Sequence, residues 1–537
     1  MSEPGNPAAG AQEPTGPADR GRDSLPRREV HEPPRWATHP PAGSDDERLV
    51  AQVHPPAWAN PEPAARYHLV VVGAGTAGLV SAAGAAGLGA RVALVERSLM
   101  GGDCLNVGCV PSKGMIRAAR AWSEARRTAE RFGGPAAEGA GDFAAAMERM
   151  RRLRADMARH DSAERFAELG VDVFLGHGRF VAPDAVEVDG RRLRFRRAVV
   201  ATGARAAAPP IPGLAEAGYL TNETVFDLHE LPRRLAVIGG GPIGCELAQA
   251  FARFGSRVTL LDLAEHVLVR EDADAAAVVQ RALVADGVRL ELGVSIERVE
   301  LAGGERRLHV RRGGEAGEVA ADAVLVAVGR TPNVEGLALE AAGVGHDSTG
   351  VAVDDRLRTT NPRIYAAGDV SSRWKFTHVA DAEARIVIQN ALFRGRKKAS
   401  DLVVPWCTYT SPEVAHVGLT AAEAAERGVE LDTVTVPLSA VDRAILDGET
   451  EGFLRLHLAA GKGRILGATV VAEHAGDLLG ELALAITAGV GLDRIAGVIH
   501  PYPTQAEVVK KAADQWRRGK LTPAVKKVFG WWFRLTG

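Results

Sequence analysis

The sequence predicts an α/β fold made of two parallel βαβ units followed by a C-terminal α+β domain, and three observations carry that expectation. A short, continuously apolar run, Tyr67–Gly73, leads into Gly73-Ala74-Gly75-Thr76-Ala77-Gly78 and an alanine-rich stretch. The pattern returns at Leu235–Gly239, followed by Gly239-Gly240-Gly241-Pro242-Ile243-Gly244 and the helical stretch Cys245–Phe254. Each unit closes a second apolar strand, Arg91–Glu96 or Arg257–Asp262, on an acid 23 positions after its first glycine: Glu96 after Gly73, and Asp262 after Gly239.

Unbroken apolar runs of this length belong to parallel strands buried on both faces. The glycines have separate uses. Gly73 and Gly239 permit the tight turn, Gly75 and Gly241 let the backbone approach a pyrophosphate, and Gly78 and Gly244 allow close helix–strand packing. The helix N-terminus beyond them offers free N–H groups and partial positive charge. Both units therefore read as dinucleotide-binding (Rossmann-like) domains, with Glu96 and Asp262 accepting hydrogen bonds from a ribose. An acid at Asp262 binds a 2′-hydroxyl and repels a 2′-phosphate, and no Arg or Lys occurs before Arg270. NAD(H) is thus favoured over NADP(H).

A chain of 537 residues predicts about three domains. Its net charge of -2 gives no reason to expect nucleic acid as a partner. No apolar run reaches the ~20 residues that span a bilayer. Four cysteines are too few for a disulfide-stapled scaffold. The N-terminus shows no apolar signal region, so a cytoplasmic location is expected. Residues 1–66 are rich in Pro, Gly, Ala and charge and are expected to be disordered, with Leu49–Val53 and Trp58 the candidates for docking. Residues 115–168 read as two long solvated helices interrupted near Gly133–Gly141, and residues from about 405 onward as the α+β domain.

The most informative segment is Gly101-Gly102-Asp103-Cys104-Leu105-Asn106-Val107-Gly108-Cys109-Val110-Pro111-Ser112-Lys113. Two cysteines in a glycine-containing run at this spacing can close a disulfide; the bland alternative is a pair of buried structural thiols. Pro111 suits an early helix position, which puts Cys109 near a helix N-terminus that stabilises its thiolate.

With these motifs the chain resembles the FAD-dependent pyridine nucleotide–disulfide oxidoreductases, a family that includes dihydrolipoyl dehydrogenase, glutathione reductase and mercuric reductase. The likeness runs from about residue 67 to 515. Ala201-Thr202-Gly203 resembles the link that closes the first FAD segment. The run from Ala327 through Gly329 to Asn333 resembles the end of the NAD domain. Ile364 to Gly368-Asp369 resembles the second FAD motif, with Asp369 on the ribityl chain.

The resemblance implies an FAD-binding domain over 67–218 and 351–400, interrupted by an NAD(P)-binding domain over 219–350. A dimerisation domain over 401–515 and a basic aromatic tail over 516–537 follow. It further implies a homodimer, FAD near Gly102, Thr202 and Gly203, and a redox-active Cys104–Cys109 disulfide. Cys109 would be the thiol beside the flavin and Cys104 the one facing the acceptor. Lys113 would pair with Glu246 near the flavin–nicotinamide contact.

Disulfide-reducing members end in His-x-His-Pro-Thr-x-x-Glu, whose second His, held by the Glu, moves the proton. Here the segment is His500-Pro501-Tyr502-Pro503-Thr504-Gln505-Ala506-Glu507, with Tyr502 in place of that His. A phenol near pKa 10 is a poor base where an imidazole near 6.5 is a good one. Mercuric reductases also carry a Tyr at this point, where it helps ligate a metal held by thiolates. No cysteine follows Cys407 and none precedes Cys104, so the C-terminal cysteine pair and the metal-carrier segment of typical mercuric reductases are missing.

The expected activity is reduction of a thiophilic metal ion or related small acceptor. The alternatives are a dihydrolipoyl-dehydrogenase-like activity and a membrane-associated electron-delivery flavoprotein. The last rests on the tail, where Arg517, Arg518, Lys520, Lys526, Lys527 and Arg534 accompany Trp531, Trp532 and Phe533. Weak membrane contact is one reading of that tail and docking on the dimer the other. No resident metal site is expected. Cys245 and Cys407 read as packing thiols, and His378 as a structural His before a helix near the flavin.

Overall fold

A computed structural model of the chain describes residues 35–38, 40–135, 137–139 and 141–537. Residues 1–34, which make up about half of the segment expected to be disordered, lie outside the described residues.

In the first unit the strands Tyr67–Val72 and Val92–Glu96 flank the helix Thr76–Gly87. Parallel neighbours run in the order Val171–Leu175, Val92–Glu96, Tyr67–Val72, Arg191–Val200. The sheet then turns antiparallel through Ala185–Val188 and Arg179–Ala182. The first strand shows why its sequence has no polar alternation. Leu69 and Val71 point into one core, while Val70 and Val72 point into the core on the opposite face. Ile364–Ala366, far along the chain, adds to Arg191–Val200 in parallel, so the chain leaves this sheet and later returns to it.

The intervening residues form the second unit. Its parallel sheet has the order Arg289–Leu292, Arg257–Asp262, Arg234–Ile238, Ala323–Val326, with the helix Pro242–Phe254 after the glycines. An antiparallel sheet of Ser295–Ala302, Glu305–Arg312 and Glu315–Ala321 shares a core with its other face. The two crossings between units are fastened together. Ala204–Ala206 pairs with Arg330–Pro332, the Thr202 hydroxyl donates to the Asn333 carbonyl at 2.7 Å, and the Asn333 amide donates back to the Thr202 carbonyl at 3.0 Å. The C-terminal domain is a five-stranded antiparallel sheet with the helices Ala475–Ala488 and Glu507–Gly519 in the same core.

Two expectations are corrected. The segment before residue 67 is ordered where it is described: Asp45–Val53 is a helix, capped by the Ser44 hydroxyl, which accepts from the Glu47 amide. Leu49 and Val53 are fully buried against the first unit, worth about 1.5–3 kcal/mol each. Trp58 Nε1 donates to the Val173 carbonyl at 3.1 Å. Leu49–Val53 and Trp58 dock as the sequence led one to expect; the Pro- and Gly-rich surroundings hid only how far the order extends around them. The helices Cys109–Phe132 and Phe143–Ala158 are also not simply solvated. The second buries Phe143, Met147 and Met150, and turns Arg151 and Arg154 inward. Those arginines made it read as a surface helix, but their guanidiniums satisfy buried carbonyls and a buried carboxylate.

Candidate active site

Cys104 lies on the short helix Gly102–Asn106, and Cys109 is the first residue of the helix Cys109–Phe132. Gly108 lets the chain double back between them. A Cβ there would sit 2.7 Å from the Asp103 carbonyl oxygen and 3.4 Å from the Cys104 Cα. The two side chains, both free thiols, come within hydrogen-bonding contact.

The segment is braced from outside. Asn222 Nδ2 donates to the Val107 carbonyl at 3.1 Å and Arg154 to the Asn106 carbonyl at 2.8 Å. Arg154 also donates to Asp46 at 2.7 Å, which ties the N-terminal helix to the thiol loop. Both members of that pair are buried.

The thiols differ electrostatically. The hydrogen bond from Cys104, aided by Thr377 and Lys113 and opposed by burial, lowers the Cys109 pKa to about 6. Thr377 Oγ1 stands 3.6 Å from Cys109 Sγ. The same thiol–thiol bond, with burial, pushes Cys104 upward. Cys109 is thus the thiolate and Cys104 the proton holder.

Lys113, on the same helix as Cys109, meets Glu246 at 2.8 Å. Glu246 is buried on the helix of the second glycine unit, and its other oxygen accepts from the Tyr409 amide at 2.9 Å. Burial works against the Lys113 charge, but the Glu246 carboxylate outweighs it and the pKa rises. The Tyr409 ring lies 4.4 Å from the ammonium.

One cavity of about 910 Å³ takes in Cys104, Cys109, Lys113 and Glu246 together with Gly73, Gly75, Glu96, Gly102, Thr202, Gly203, Gly368 and Asp369. The glycine turns fit a dinucleotide. A Cβ on Gly78 would fall 1.8 Å from the Gly73 carbonyl oxygen, and one on Gly244 1.9 Å from that of Gly239. Gly73 and Gly239 have φ of 102° and 109°, in the left-handed region. Gly241 faces open space, and Gly102 lies so close to Gly75 that a Cβ would come within 2.7 Å of its Cα. The backbone is thus free of side chains where phosphates would lie. Glu96 accepts from the Ala74 and Ser98 amides at 2.7 and 2.8 Å, and Asp262 from the Gly240 and Ala264 amides. Both acids therefore hold the glycine turn that follows the first strand of their unit. Gly239, Gly241, Gly244, Asp262 and Gly329 lie in the second unit and do not line this cavity, whereas Pro242, Ile243 and Glu246 do.

Tyr502 and Glu507 are not brought to the thiols of their own chain. Tyr502 is 71% exposed and donates to Asp442 at 3.0 Å, not to Glu507. His500 is held by Glu481 at 3.1 Å. Cys245 is fully buried, as expected of a packing thiol. Cys407 lies within the strand Pro405–Thr408, half-buried, and lines the cavity; burial pushes its pKa up. His378 sits in the first turn of the helix Thr377–Phe393 and bonds the Pro405 carbonyl at 2.7 Å. Among the described residues no three His, Cys, Asp or Glu side chains gather into a metal-holding group.

Sequence reasoning missed Thr377, Tyr409 and Arg330. Thr377 and Tyr409 reach the site only through long-range packing and leave no local signal. Arg330 lies in a motif already singled out. It bonds Asp103 in the thiol segment, meets Asp369 at 3.2 Å and donates to the Ala204 carbonyl at 2.6 Å, which links all three FAD-side segments.

Comparisons with known proteins agree with this construction. The chain matches the family model for pyridine nucleotide-disulphide oxidoreductases over residues 67–384 and that family's dimerisation domain over residues 404–513. A mercuric reductase of Bacillus cereus is 37% identical over 478 residues, covering 89% of this chain and 75% of the relative. A dihydrolipoyl dehydrogenase of Thermus scotoductus is 35% identical over 469 residues, covering 83% and 97%. Among solved structures, the Cu(II) complex of the HOCl-induced flavoprotein disulfide reductase RclA from Escherichia coli superposes with a TM-score of 0.75 at 30% identity, covering 84% of this chain and 100% of that one. The chain belongs to the class I pyridine nucleotide–disulfide oxidoreductases, FAD-dependent enzymes that use a pyridine nucleotide, and it carries their dimerisation domain.

Proposed function

We propose that the chain is an NADH-dependent reductase in which Cys104 and Cys109 form a redox-active disulfide that, once opened, holds a thiophilic metal ion for reduction, with Hg²⁺ the first candidate. The observation that carries this reading is the shared cavity in which a low-pKa thiolate, a second thiol and the Lys113–Glu246 pair meet one glycine turn and the start of the other helix.

Bound FAD would supply the two-electron relay between a nicotinamide hydride and the disulfide. Gly73, Gly75 and Gly78 would hold its pyrophosphate, Glu96 its ribose and Asp369 its ribityl chain. Gly239, Gly241, Gly244 and Asp262 would hold the nicotinamide nucleotide. Lys113 keeps a fixed positive charge where negative charge accumulates, and Glu246 holds that ammonium in place. Two electrons and one proton open the disulfide. They leave Cys109 as thiolate, bonded by Thr377, and Cys104 as thiol. Both sulfurs would then hold the soft dication, Cys104 giving up its proton, and two electrons from NADH reduce the ion to the neutral atom.

A homodimer gives Tyr502 its place. Its exposed phenol would meet the ion at the thiol pair of the second copy. An enzyme that draws on NADH belongs in the cytoplasm, where that nucleotide is. The second reading, a dihydrolipoyl-dehydrogenase-like activity, is favoured by the Thermus scotoductus relative; the phenol where an imidazole would move the proton counts against it.

The test is NADH oxidation by the FAD-loaded protein with Hg²⁺ and excess thiol, beside lipoamide and glutathione disulfide. Mercury-dependent turnover that Cys104→Ala removes is expected. Turnover with lipoamide alone would overturn the metal reading in favour of the second one.

A further inference from the structure

The C-terminal domain ends its packing with the helix Glu507–Gly519, which buries Val508, Val509, Ala512 and Ala513. The last helix, Pro523–Thr536, buries nothing. Its start is well made all the same, with Pro523 in the first turn and the Thr522 hydroxyl accepting from the Val525 amide at 3.3 Å. At 100° per residue, Val525, Val528, Phe529, Trp532 and Leu535 form one face, with Trp531 and Phe533 at its edges. Lys526, Lys527 and Arg534 gather on the opposite face. Trp531, Trp532 and Phe533 are 59%, 55% and 67% exposed, and among the described residues no core covers them.

We infer that this helix is a docking surface for an anionic phospholipid bilayer, lying flat in the headgroup region. Charge complementarity commits it to that occupant. After Asp514 the chain has six basic residues (Arg517, Arg518, Lys520, Lys526, Lys527 and Arg534) and no acid, although the whole chain carries -2. Here the apolar arc spans more than half the circumference and the polar face is of one sign, the pattern of an interfacial helix. Tryptophan at the apolar–polar boundary suits the membrane–water interface. At 14 residues the helix is about 21 Å long. It is too short to cross the hydrocarbon layer, and among the described residues no helix is long and apolar enough to do so. The surface does not depend on which acceptor the thiols reduce.

The test is co-sedimentation of the FAD-loaded full chain with phosphatidylcholine vesicles, with and without phosphatidylglycerol as roughly a third of the lipid. Binding to the anionic vesicles alone, weakened by high salt, is expected. Phe529→Ser with Trp532→Ser should remove it. Lys526→Gln, Lys527→Gln and Arg534→Gln together should weaken it by roughly 100-fold, about fivefold per charge. All variants should keep the flavin spectrum and the oligomeric state. Equal binding by the Phe529→Ser/Trp532→Ser variant, or no binding by the parent chain, would overturn the proposal. So would a change of oligomeric state in that variant, which would assign the apolar face to a second copy.

Discussion

The thiol segment and the Tyr502 segment serve the same proposed reaction, yet the fold treats them in opposite ways. Cys104 and Cys109 sit on a loop closed by Gly108 and held by Arg154, Asn222 and Arg330 from three separate regions of the chain. Tyr502 is mostly exposed, and its hydroxyl donates to Asp442. The difference teaches that electron handling is assembled within one chain, while the group proposed to meet the acceptor is left to subunit association.

Substitutions can break this contrast, beginning with the largest expected effect. Cys104→Ala should remove acceptor-dependent NADH oxidation, by roughly 10³-fold or more, while reduction of the bound flavin by NADH persists in stopped-flow traces. Loss of both steps would mean that Cys104 shapes the flavin site rather than meeting the acceptor.

Lys113→Met should slow flavin reduction by roughly 100-fold through loss of the fixed charge. An unchanged rate would remove Lys113 from the electron path.

Asp46→Ala should lower unfolding stability by about 1–3 kcal/mol, because Arg154 loses the buried carboxylate it donates to at 2.7 Å. A chemical denaturation curve reads this directly. A loss below about 1 kcal/mol would show that the N-terminal helix is not a brace. Tyr502→Phe, at an exposed position, should leave that curve within about 0.5 kcal/mol while metal turnover falls by roughly tenfold. Equal turnover would detach Tyr502 from the acceptor.

The pH dependence of Cys109 sharpens the same comparison. Its lowered pKa means that the thiolate predominates above about pH 6 and is protonated below it. Iodoacetamide labelling of the reduced protein at Cys109 should therefore reach a plateau by pH 7 and fall as the pH drops through about 6. A midpoint above 8 would show that the bond from Cys104 does not hold the charge.

The sequence made some of this plain and hid the rest for identifiable reasons. Gly73 to Gly78 and Gly239 to Gly244 were legible because a pyrophosphate turn needs missing side chains at fixed spacing, and their Cβ positions are indeed closed or left open to suit. The Lys113–Glu246 pair, 133 residues apart, came from family likeness, since no periodicity links two helices in different units. Thr377 and Tyr409 stayed hidden because long-range packing alone brings them to the thiols. Asp46 stayed hidden because one buried carboxylate in a Pro- and Gly-rich extension looks like any solvated acid until Arg154 is seen beneath it.

The most direct test of the central claim, that Cys104 and Cys109 form a disulfide that NADH opens by way of the flavin, is an anaerobic titration of the oxidised, FAD-loaded protein with NADH. The account predicts uptake of a second equivalent beyond the one that the flavin takes. It also predicts, midway, the long-wavelength absorbance of a thiolate beside the flavin, absent in Cys109→Ala. Saturation after one equivalent, or the same band in Cys109→Ala, would contradict it.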